Sequence, residues 1–513
     1  MKKTFVYIVM LIGMGLGISS CYSDDSSLDL NPITGVEIDT TGMSQLFVYQ
    51  FEDLIVEPKF EMGDLSDADL SYEWRINLTP GDTIYKVIGE ERNLHYEMDL
   101  KPTTSGYFHQ LWFTVTDHRH DLDYIMTWPV TVRNNIGEGL VIAETADGVT
   151  SDFSHIMAPQ VTPDYTQESI KYQIYSTNNE RPLEGVVKQM RFTQIFGVDA
   201  IMGITDNSVF KIHTFDYTLG GVNNDLFYTN RTTFEPQALG AIVQGDMYVG
   251  EGQLTGTYLG AATHFGAPVD APYTVPDHVA FNAHSYGPAV MVNFYDEVNQ
   301  HFVYLPTIAA WGDNNVHKAA PAAGAVFNPA DLKNKENLAA AVSNTGDFLH
   351  LLKDKETGEI ALYVLDGGQS GNPAISPAPK ALYELSSAPG IDQASHFTFL
   401  DDQRVLYYVS GNTIYAMLYG GSTPVFEERF TAPAGQEITT LQVYRQADYP
   451  SRSSSGAPYL PTNNRQLIMS TYDGNEGTVY LLPFINTGIG NIDQARIKTF
   501  GGFNRITAIT TQL

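Results

Sequence analysis

The residues best spaced for metal chemistry are His118, His120, Asp121 and Asp123. Alternate residues of a β-strand share a face, so the two histidines could reach the same ion. A four-coordinate site needs further ligands, and the sequence offers none with clear spacing. The cluster also follows directly on a strand-like run that ends at Thr116-Asp117. We therefore expect a solvated hairpin tip here and no metal site.

Adjacent acidic residues occur at Glu90-Glu91, Asp401-Asp402 and Glu427-Glu428. Glycoside hydrolases use two carboxylates that face each other across the sugar, about 5–9 Å apart. Sequence neighbours on a strand point to opposite faces, so these pairs do not form that device. A pair assembled from distant parts of the chain stays open. Metalloprotease, serine-hydrolase and phosphate-loop signatures are absent from the sequence, which predicts neither catalytic residues nor a cofactor.

Two loop-like stretches carry groups suited to ligand binding. One contains His284 and Tyr286, and the other contains Trp311 and Asp313. An aromatic ring can stack on a ligand while neighbouring polar groups orient it. These four residues are therefore our candidates for ligand binding. The alternative is that Trp311 packs in the core and that the others are turn residues.

The N-terminus has the layout of a secretion signal that ends in a cysteine. Lys2-Lys3 precedes an apolar run over residues 5–16, and Ile18-Ser19-Ser20-Cys21 follows as a small-residue cleavage site. The apolar run is too short to span a bilayer. The motif resembles the bacterial lipobox, so we expect residues 1–20 to be removed and Cys21 to be acylated. An ordinary secretion signal with a chance cysteine is the alternative.

Residues 21–30 are polar and acidic, and we expect them to form a flexible tether. They resemble the export signal that sends some lipoproteins of Gram-negative gut commensals to the outer face of the outer membrane. We therefore expect an outer-membrane location facing the cell exterior, with a periplasm-facing lipoprotein as the alternative. The formal net charge of −30, without a basic cluster, argues against nucleic acid as a partner.

Composition and turn pattern predict an all-β fold. Short aromatic and β-branched runs alternate with Asp-Gly, Gly-Gly, Gly-Asn and Pro turns. Residues 333–343 are the best candidate for a short helix. A chain of 513 residues exceeds what one core usually holds, so we expect more than one domain.

Residues 31–134 are predicted to form a small immunoglobulin-like sandwich. Tyr72-Glu73-Trp74-Arg75-Ile76 alternates as a strand, and residues 111–117 and 128–132 give two more. Strands at this spacing with a buried tryptophan are typical of such sandwiches.

Residues 137–513 contain strand–turn–strand pieces that recur along the chain. The clearest hairpins flank residues 410–412 and 473–477, where glycine and asparagine supply the positive φ of tight turns. Recurring four-stranded units predict a β-propeller. At roughly 40–50 residues per blade the segment allows seven or eight blades, and we favour seven. Two packed sandwiches are the alternative architecture.

Both parts resemble known patterns. The strand around Trp74, then Gly106-Tyr107-Phe108, then a strand ending Val115-Thr116-Asp117, looks like a PKD domain. Residues 295–302, 470–474 and 500–509 extend the resemblance over nearly the whole mature chain, to PKD-like lipoproteins encoded beside Sus-type outer-membrane uptake systems.

This resemblance implies a non-enzymatic surface lipoprotein that is accessory to a SusC/SusD-type transporter. Such a protein would bind a peptide or glycan nutrient, or dock to the transporter, with the PKD-like domain as a spacer. Two other functions stay open: an extracellular propeller hydrolase or lyase acting on a polymer, and a structural adhesin-like subunit. A cluster of acidic or histidine side chains in the propeller channel would favour the enzyme.

Overall fold

A computed structural model describes residues 35–39, 45–104, 106–194, 199–243, 245–257, 264–270, 272–284, 289–308, 312–450, 458–486 and 490–513. Within these residues the chain is nearly all β, as predicted. None of their helices is long and apolar enough to cross a membrane. The predicted signal peptide and tether, including Cys21, lie outside the described residues.

The chain forms two compact units. The first comprises residues up to 48, 52–98 and 103–132, and the second comprises 49–51, 99–102 and 133–513. From the sequence we expected the first domain to span residues 31–134, and segments 49–51, 99–102 and 133–134 of that range fall in the second unit.

Nine strands build the first unit: β1 (Glu37–Asp39), β2 (Leu46–Tyr49), β3 (Asp53–Val56), β4 (Lys59–Glu61), β5 (Leu70–Asn77), β6 (Tyr85–Gly89), β7 (Leu94–Glu97), β8 (His109–Asp117) and β9 (Leu122–Arg133). One 3-10 helix spans Asp67–Asp69. The strands form a five-stranded sheet in the order β2-β9-β8-β5-β6 and two pairs, β1-β4 and β3-β7.

Aromatic side chains fill the core of the first unit. Trp74 of β5 is fully buried and stacks on Phe113 of β8, with 4.1 Å between ring centres. Its indole N–H donates to the Glu91 carbonyl at 2.9 Å, which satisfies the one polar atom that burial would otherwise leave unpaired. The predicted buried strand tryptophan is therefore present.

The second unit contains seven antiparallel sheets among its described residues, named here sheets 1 to 7. Sheet 1 contains β10 (Gly139–Thr145), β11 (Thr150–Met157), β12 (Ser169–Lys171) and β13 (Leu183–Glu184), with helix α1 (Ile174–Asn179) beside it. Sheet 2 contains β14 (Gln189–Thr193), β15 (Ala200–Ile204), β16 (Val209–His213) and β17 (Leu219–Val222). Sheet 3 contains β18 (Pro236–Ile242), β19 (Gly245–Gly250) and β20 (Gln253–Gly256).

The remaining sheets follow in chain order. Sheet 4 contains β21 (Ala280–Phe281), β22 (Val292–Asp296), β23 (His301–Leu305) and β24 (His317–Lys318). Sheet 5 contains β25 (Lys335–Val342), β26 (Phe348–Asp354), β27 (Ile360–Leu365) and β28 (Pro379–Glu384). Sheet 6 contains β29 (Ser395–Leu400), β30 (Val405–Ser410), β31 (Thr413–Leu418) and β32 (Val425–Thr431). Sheet 7 contains β33 (Glu437–Val443), β34 (Gln466–Tyr472), β35 (Gly477–Asn486), β36 (Asn491–Ile492) and β37 (Lys498–Phe503). Short 3-10 helices span Asn223–Leu226, Ile391–Gln393 and Gln494–Arg496.

The C-terminal strand, β38 (Arg505–Gln512), returns to sheet 1 and pairs with β10, with Ala508 opposite Ala143. In sheet 1, β38 takes the position that the first strand has in the other sheets. These first strands contact one another in a closed cyclic order. β38 contacts β14, and the contacts continue through β18, β21, β25, β29 and β33 back to β38. This arrangement is β-propeller-like, and it differs from the alternative of two packed sandwiches.

Apolar side chains fill the spaces between neighbouring sheets. In β10, which is buried throughout, Leu140 and Ile142 pack towards sheet 7, whereas Val141 and Ala143 pack towards sheet 2. A strand covered on both faces reads as a continuous apolar run, and β10 has that composition. Burial on both faces therefore explains the strands that lack polar alternation.

The predicted helix over residues 333–343 is wrong, because most of this segment is strand β25. Its residues pair antiparallel with β26, with Val342 opposite Phe348. Alanine and leucine favour a helix locally, but helix propensity amounts to only a few tenths of a kcal/mol per residue. Burial of Leu349 and Leu351 of β26 in the core between sheets 5 and 6 outweighs that preference.

Candidate functional site

Residues that follow three of the first strands meet in one charged cluster. Asp401 directly follows β29, His284 follows β21 by three residues, and Arg445 follows β33 by two. Tyr449 lies further along the same connection as Arg445. We call these four residues the Asp401 cluster. The cyclic order of the first strands brings these distant parts of the chain together.

Asp401 lies at the centre of the cluster and is 3% exposed. Its Oδ2 lies 3.2 Å from His284 Nε2 and 3.7 Å from Arg445 Nε. The Tyr449 ring packs edge-on against the His284 ring, with 5.8 Å between ring centres. Arg445 Nε also donates to Asn464 Oδ1 at 3.1 Å, which holds the guanidinium in place.

The cluster favours an ionised Asp401 beside a neutral Tyr449. Burial alone would raise the pKa of Asp401, because a buried carboxylate loses hydration. The hydrogen bond from His284, the charge of Arg445 and the contact with Tyr449 outweigh burial and lower the pKa of Asp401. Burial, together with the negative charge of Asp401, raises the pKa of the Tyr449 hydroxyl.

A pocket of about 540 Å³ opens between sheets 5 and 6, beside Asp401. Its polar lining comes from the β29–β30 turn and from sheet 5, and includes Asp401, Asp402, Arg404, Asp347, Lys380 and Tyr383. The Asn344 N–H donates to the Asp401 carbonyl at 2.9 Å, which ties the two sheets together at the pocket. We call this cavity the Asp402 pocket.

The carboxylates of the pocket are paired with neighbouring side chains. Asp347 accepts from Lys380 Nζ at 2.6 and 2.8 Å, and Asp402 Oδ2 accepts from Arg465 Nη1 at 2.7 Å. Asp401 lies against His284, Arg445 and Tyr449, so its carboxylate also has partners within the Asp401 cluster.

Of the four predicted ligand-binding residues, the structure describes His284 and Asp313. His284 belongs to the Asp401 cluster, whereas Asp313 lies before β24, with its Oδ2 2.8 Å from His317 Nε2. Burial raises the pKa of Asp313, but its hydrogen bonds, including the one with His317, lower it overall. Trp311 and Tyr286 lie outside the described residues. His284 and Asp313 are thus held by different partners.

Sequence reasoning missed most of the Asp401 cluster. Asp401 and Asp402 were noticed only as adjacent acids, and in the structure they contact different cations, Arg445 and Arg465. No local motif links these residues to His284 or Tyr449, because the contacts depend on the order of whole sheets.

The histidines with metal-like spacing contact protein groups. His118 Nε2 lies 2.9 Å from Ser71 Oγ, and His120 Nδ1 lies 2.6 Å from Asp117 Oδ2. Both residues lie in the turn between β8 and β9, where we expected a hairpin tip. Across the described ranges, no three His, Cys, Asp or Glu side chains are grouped so that they could hold a metal ion.

Comparison with known proteins finds likeness only among solved structures. No protein-family model and no curated protein matches the chain. A quinonprotein alcohol dehydrogenase-like protein from Bacteroides thetaiotaomicron is 12% identical and covers 92% of this chain and 98% of its own, with a TM-score of 0.47. The N-terminal domain of Nup159 is 8% identical over 70% of this chain and 82% of its own, with a TM-score of 0.35.

A third similar structure is PorZ, a surface component of the type-IX secretion system of Porphyromonas gingivalis. It is 12% identical over 70% of this chain and 40% of its own, with a TM-score of 0.33. Similarity at this level assigns this chain neither to a family nor to an activity.

Proposed function

We propose that this chain is a lipid-anchored surface protein that captures a peptide or glycan nutrient beside a SusC/SusD-type outer-membrane transporter. The signal-like N-terminus ending in Cys21 and the acidic residues after it support the anchor and the location. The Asp402 pocket carries the binding part of the proposal, because it combines about 540 Å³ of space with a lining of paired carboxylates and cations.

In the proposed architecture the second unit binds the ligand and the first unit is a spacer. The seven sheets would be the seven blades of a propeller, which is supported by the cyclic contacts of their first strands. The first unit would be a PKD-like or immunoglobulin-like spacer, which is supported by its five-stranded sheet and its buried Trp74.

The anchor is tested by a Cys21→Ser variant in cells fed a fatty-acid probe. The native chain should incorporate the probe and sediment with outer membranes, because acyl chains supply the membrane affinity. The variant should incorporate none. Equal labelling of both chains would overturn the anchor.

The partner is tested by recovering a tagged native chain from detergent-solubilised outer membranes. A SusC/SusD-like pair should co-purify with it in stoichiometric amounts, and should be missing when an unrelated tagged lipoprotein is used. Recovery of the chain without such a pair would contradict the accessory role.

The Asp401 cluster also favours a second candidate function, a lyase or hydrolase acting on a polymer. His284 and Tyr449 are groups that can transfer protons, and both contact the buried Asp401 next to Arg445. Purified protein incubated with polysaccharides should then release fragments, and His284→Gln should abolish the release. Intact polymers after long incubation would exclude this function for the substrates tried.

A further inference from the structure

We infer that a cavity between sheets 1 and 2 binds a small carboxylate with an apolar body, such as an ionised aliphatic or arylalkyl acid. The cavity has a volume of about 490 Å³ and shares no lining residue with the Asp402 pocket. We call it the Tyr175 cavity, and its lining includes Val149, Tyr175, Arg181, Leu183, Leu219 and Val222. The inference is carried by a tyrosine hydroxyl and a guanidinium that have no partner among the described residues, and by an apolar wall.

Tyr175 places one hydrogen-bond donor at the cavity. The residue lies on helix α1, packs its ring against Phe153 with 5.4 Å between ring centres, and is only 3% exposed. Its hydroxyl makes no hydrogen bond with the described residues, and it is not among their fully enclosed atoms that lack a partner. The hydroxyl is therefore open to the cavity, where an acceptor on a ligand would complete its hydrogen bonding.

A positive charge lies near this hydroxyl. Arg181 is exposed and lines the cavity, and its guanidinium forms no ion pair or hydrogen bond with the described residues. Burial raises the pKa of the Tyr175 hydroxyl, and the charge of Arg181 offsets only part of that effect. The hydroxyl therefore stays protonated at neutral pH and donates, as does the guanidinium. Two neighbouring donors, one of them charged, favour a carboxylate as the acceptor.

The acidic groups near the cavity do not cancel this preference. Asp152, whose charge also acts on Tyr175, lies outside the lining and accepts hydrogen bonds from two backbone N–H groups at 2.8 and 3.1 Å. Glu184 belongs to the lining, but it neighbours Leu183 on β13, and Leu183 packs in the core between sheets 1 and 2. Neighbouring residues of a strand point to opposite faces, so the Glu184 carboxylate is directed away from that core.

Apolar side chains supply much of the remaining lining. Leu183 is buried, whereas Val149 and Leu219 are 68% and 37% exposed. Hydrogen bonds hold these walls in place, because the Gly185 N–H donates to the Val149 carbonyl and the Leu219 N–H donates to Asn179 Oδ1, both at 3.0 Å. A ligand body that covers these side chains removes apolar surface from water, which favours an apolar body over a polyhydroxylated one.

The test is calorimetric titration of the full mature chain with octanoate and phenylbutyrate. Octanamide and phenylbutyramide keep the apolar body without the charge, acetate keeps the charge without the body, and octylamine reverses the charge. At least one of the two carboxylates should bind saturably. Its amide should bind at least about tenfold more weakly, because the charge-assisted hydrogen bonds are lost. Acetate and octylamine should not compete.

Variants then place the binding in the cavity. Arg181→Gln should weaken carboxylate binding at least about tenfold, and Tyr175→Phe, which keeps the ring, should weaken it about three- to tenfold. Lys188→Gln is the matched cation control, because Lys188 is exposed, lies outside the lining and pairs with Asp206. Glu184→Gln removes the negative charge of the lining and should not weaken carboxylate binding. All variants are first compared with the native chain by thermal melting.

Each contrary outcome rejects a different part of the inference. Failure of both octanoate and phenylbutyrate to bind would overturn it outright. Equal affinity for a carboxylate and its amide would overturn the anionic class, and equal affinity of the native chain and Arg181→Gln would overturn the cavity as the site. Tight binding of octylamine that Glu184→Gln abolishes would assign the cavity to cations instead. None of these results involves the Asp402 pocket, so the proposed capture function is tested separately.

Discussion

Asp401 connects three separate parts of the chain through one carboxylate. It follows β29, yet it contacts His284 beyond β21 and Arg445 beyond β33. Asp401→Asn would remove the charge that His284 and Arg445 contact on this buried side chain, and a hydrogen bond to a charged group contributes about 1.5–3 kcal/mol. We expect the variant to lower the free energy of unfolding by about that amount, as measured by urea denaturation.

An exposed carboxylate provides the control for this prediction. Asp206 is 78% exposed and pairs with Lys188 at the surface, so Asp206→Asn should change the free energy of unfolding by less than about 0.5 kcal/mol. Equal stability of the two variants would show that the Asp401 cluster does not stabilise the fold.

His350 makes stability depend on pH. It is fully buried on β26, and its Nε2 lies 2.7 Å from Asn293 Oδ1. Burial lowers the pKa of His350 from 6.5 to about 3. Between these values the unfolded chain binds a proton that the folded chain does not bind. The free energy of unfolding therefore falls as the pH drops from about 6.5 towards 3.

His350→Gln removes this titration while an amide N–H can still donate to Asn293. We expect its free energy of unfolding to fall less than that of the native chain between about pH 7 and pH 4. Some acid sensitivity remains, because burial also lowers the pKa of His155 to about 3. Parallel curves for His350→Gln and the native chain would contradict the prediction.

At the scale of elements, four hairpins of the second unit share one capping device. Asp147, Asp296, Asp354 and Asp473 each use Oδ1 to accept hydrogen bonds from the backbone N–H groups two and three residues further on. Each lies where the second strand of its sheet turns into the third, in sheets 1, 4, 5 and 7, with β38 counted as the first strand of sheet 1. The recurrence marks these sheets as variants of one structural unit.

The device predicts different effects for two substitutions of Asp473. Asp473→Ala removes the acceptor for the Asn475 and Glu476 N–H groups, both bound at 2.8 Å. Asp473→Asn keeps an amide oxygen in the same position. The alanine variant should therefore have the lower urea midpoint, with the asparagine variant close to the native chain. Identical midpoints for the two variants would show that the cap adds nothing to stability.

At the scale of the whole molecule, the second unit should fold without the first. Residues 137–513 contain all seven sheets and the closing strand β38. They lack Gln50, which belongs to the second unit and donates from Nε2 to the buried Asn178 Oδ1 at 2.7 Å. We expect the fragment to unfold cooperatively in urea, at a lower midpoint than the second unit in the full chain.

Fluorescence and circular dichroism during urea titration would check this prediction. Coincident transitions by both probes would show cooperative unfolding. A fragment that is insoluble, or that unfolds gradually without a defined midpoint, would contradict a self-contained second unit.

The sequence by itself determined the features that depend on neighbouring residues. The all-β class and the hairpins around Gly411 and Gly474 follow from glycines whose φ values are 62° and 98° in the structure, and from the aromatic and β-branched runs beside them. The strand that contains the buried Trp74 was also predictable, because polar and apolar side chains alternate along it. Turn chemistry and side-chain alternation act within a few residues, so a single sequence reveals them.

Only the tertiary structure decided the state of residues 333–343 and the membership of the Asp401 cluster. The alanines of β25 favour a helix in isolation, but the strand is selected by pairing with β26 and by the core between sheets 5 and 6. Asp401, His284 and Arg445 meet because β29, β21 and β33 are first strands within one cyclic order. That order results from burial of whole sheet faces and from the pairing of β38 with β10. Both contributions are sums over many distant contacts, so no local pattern in the sequence reveals them.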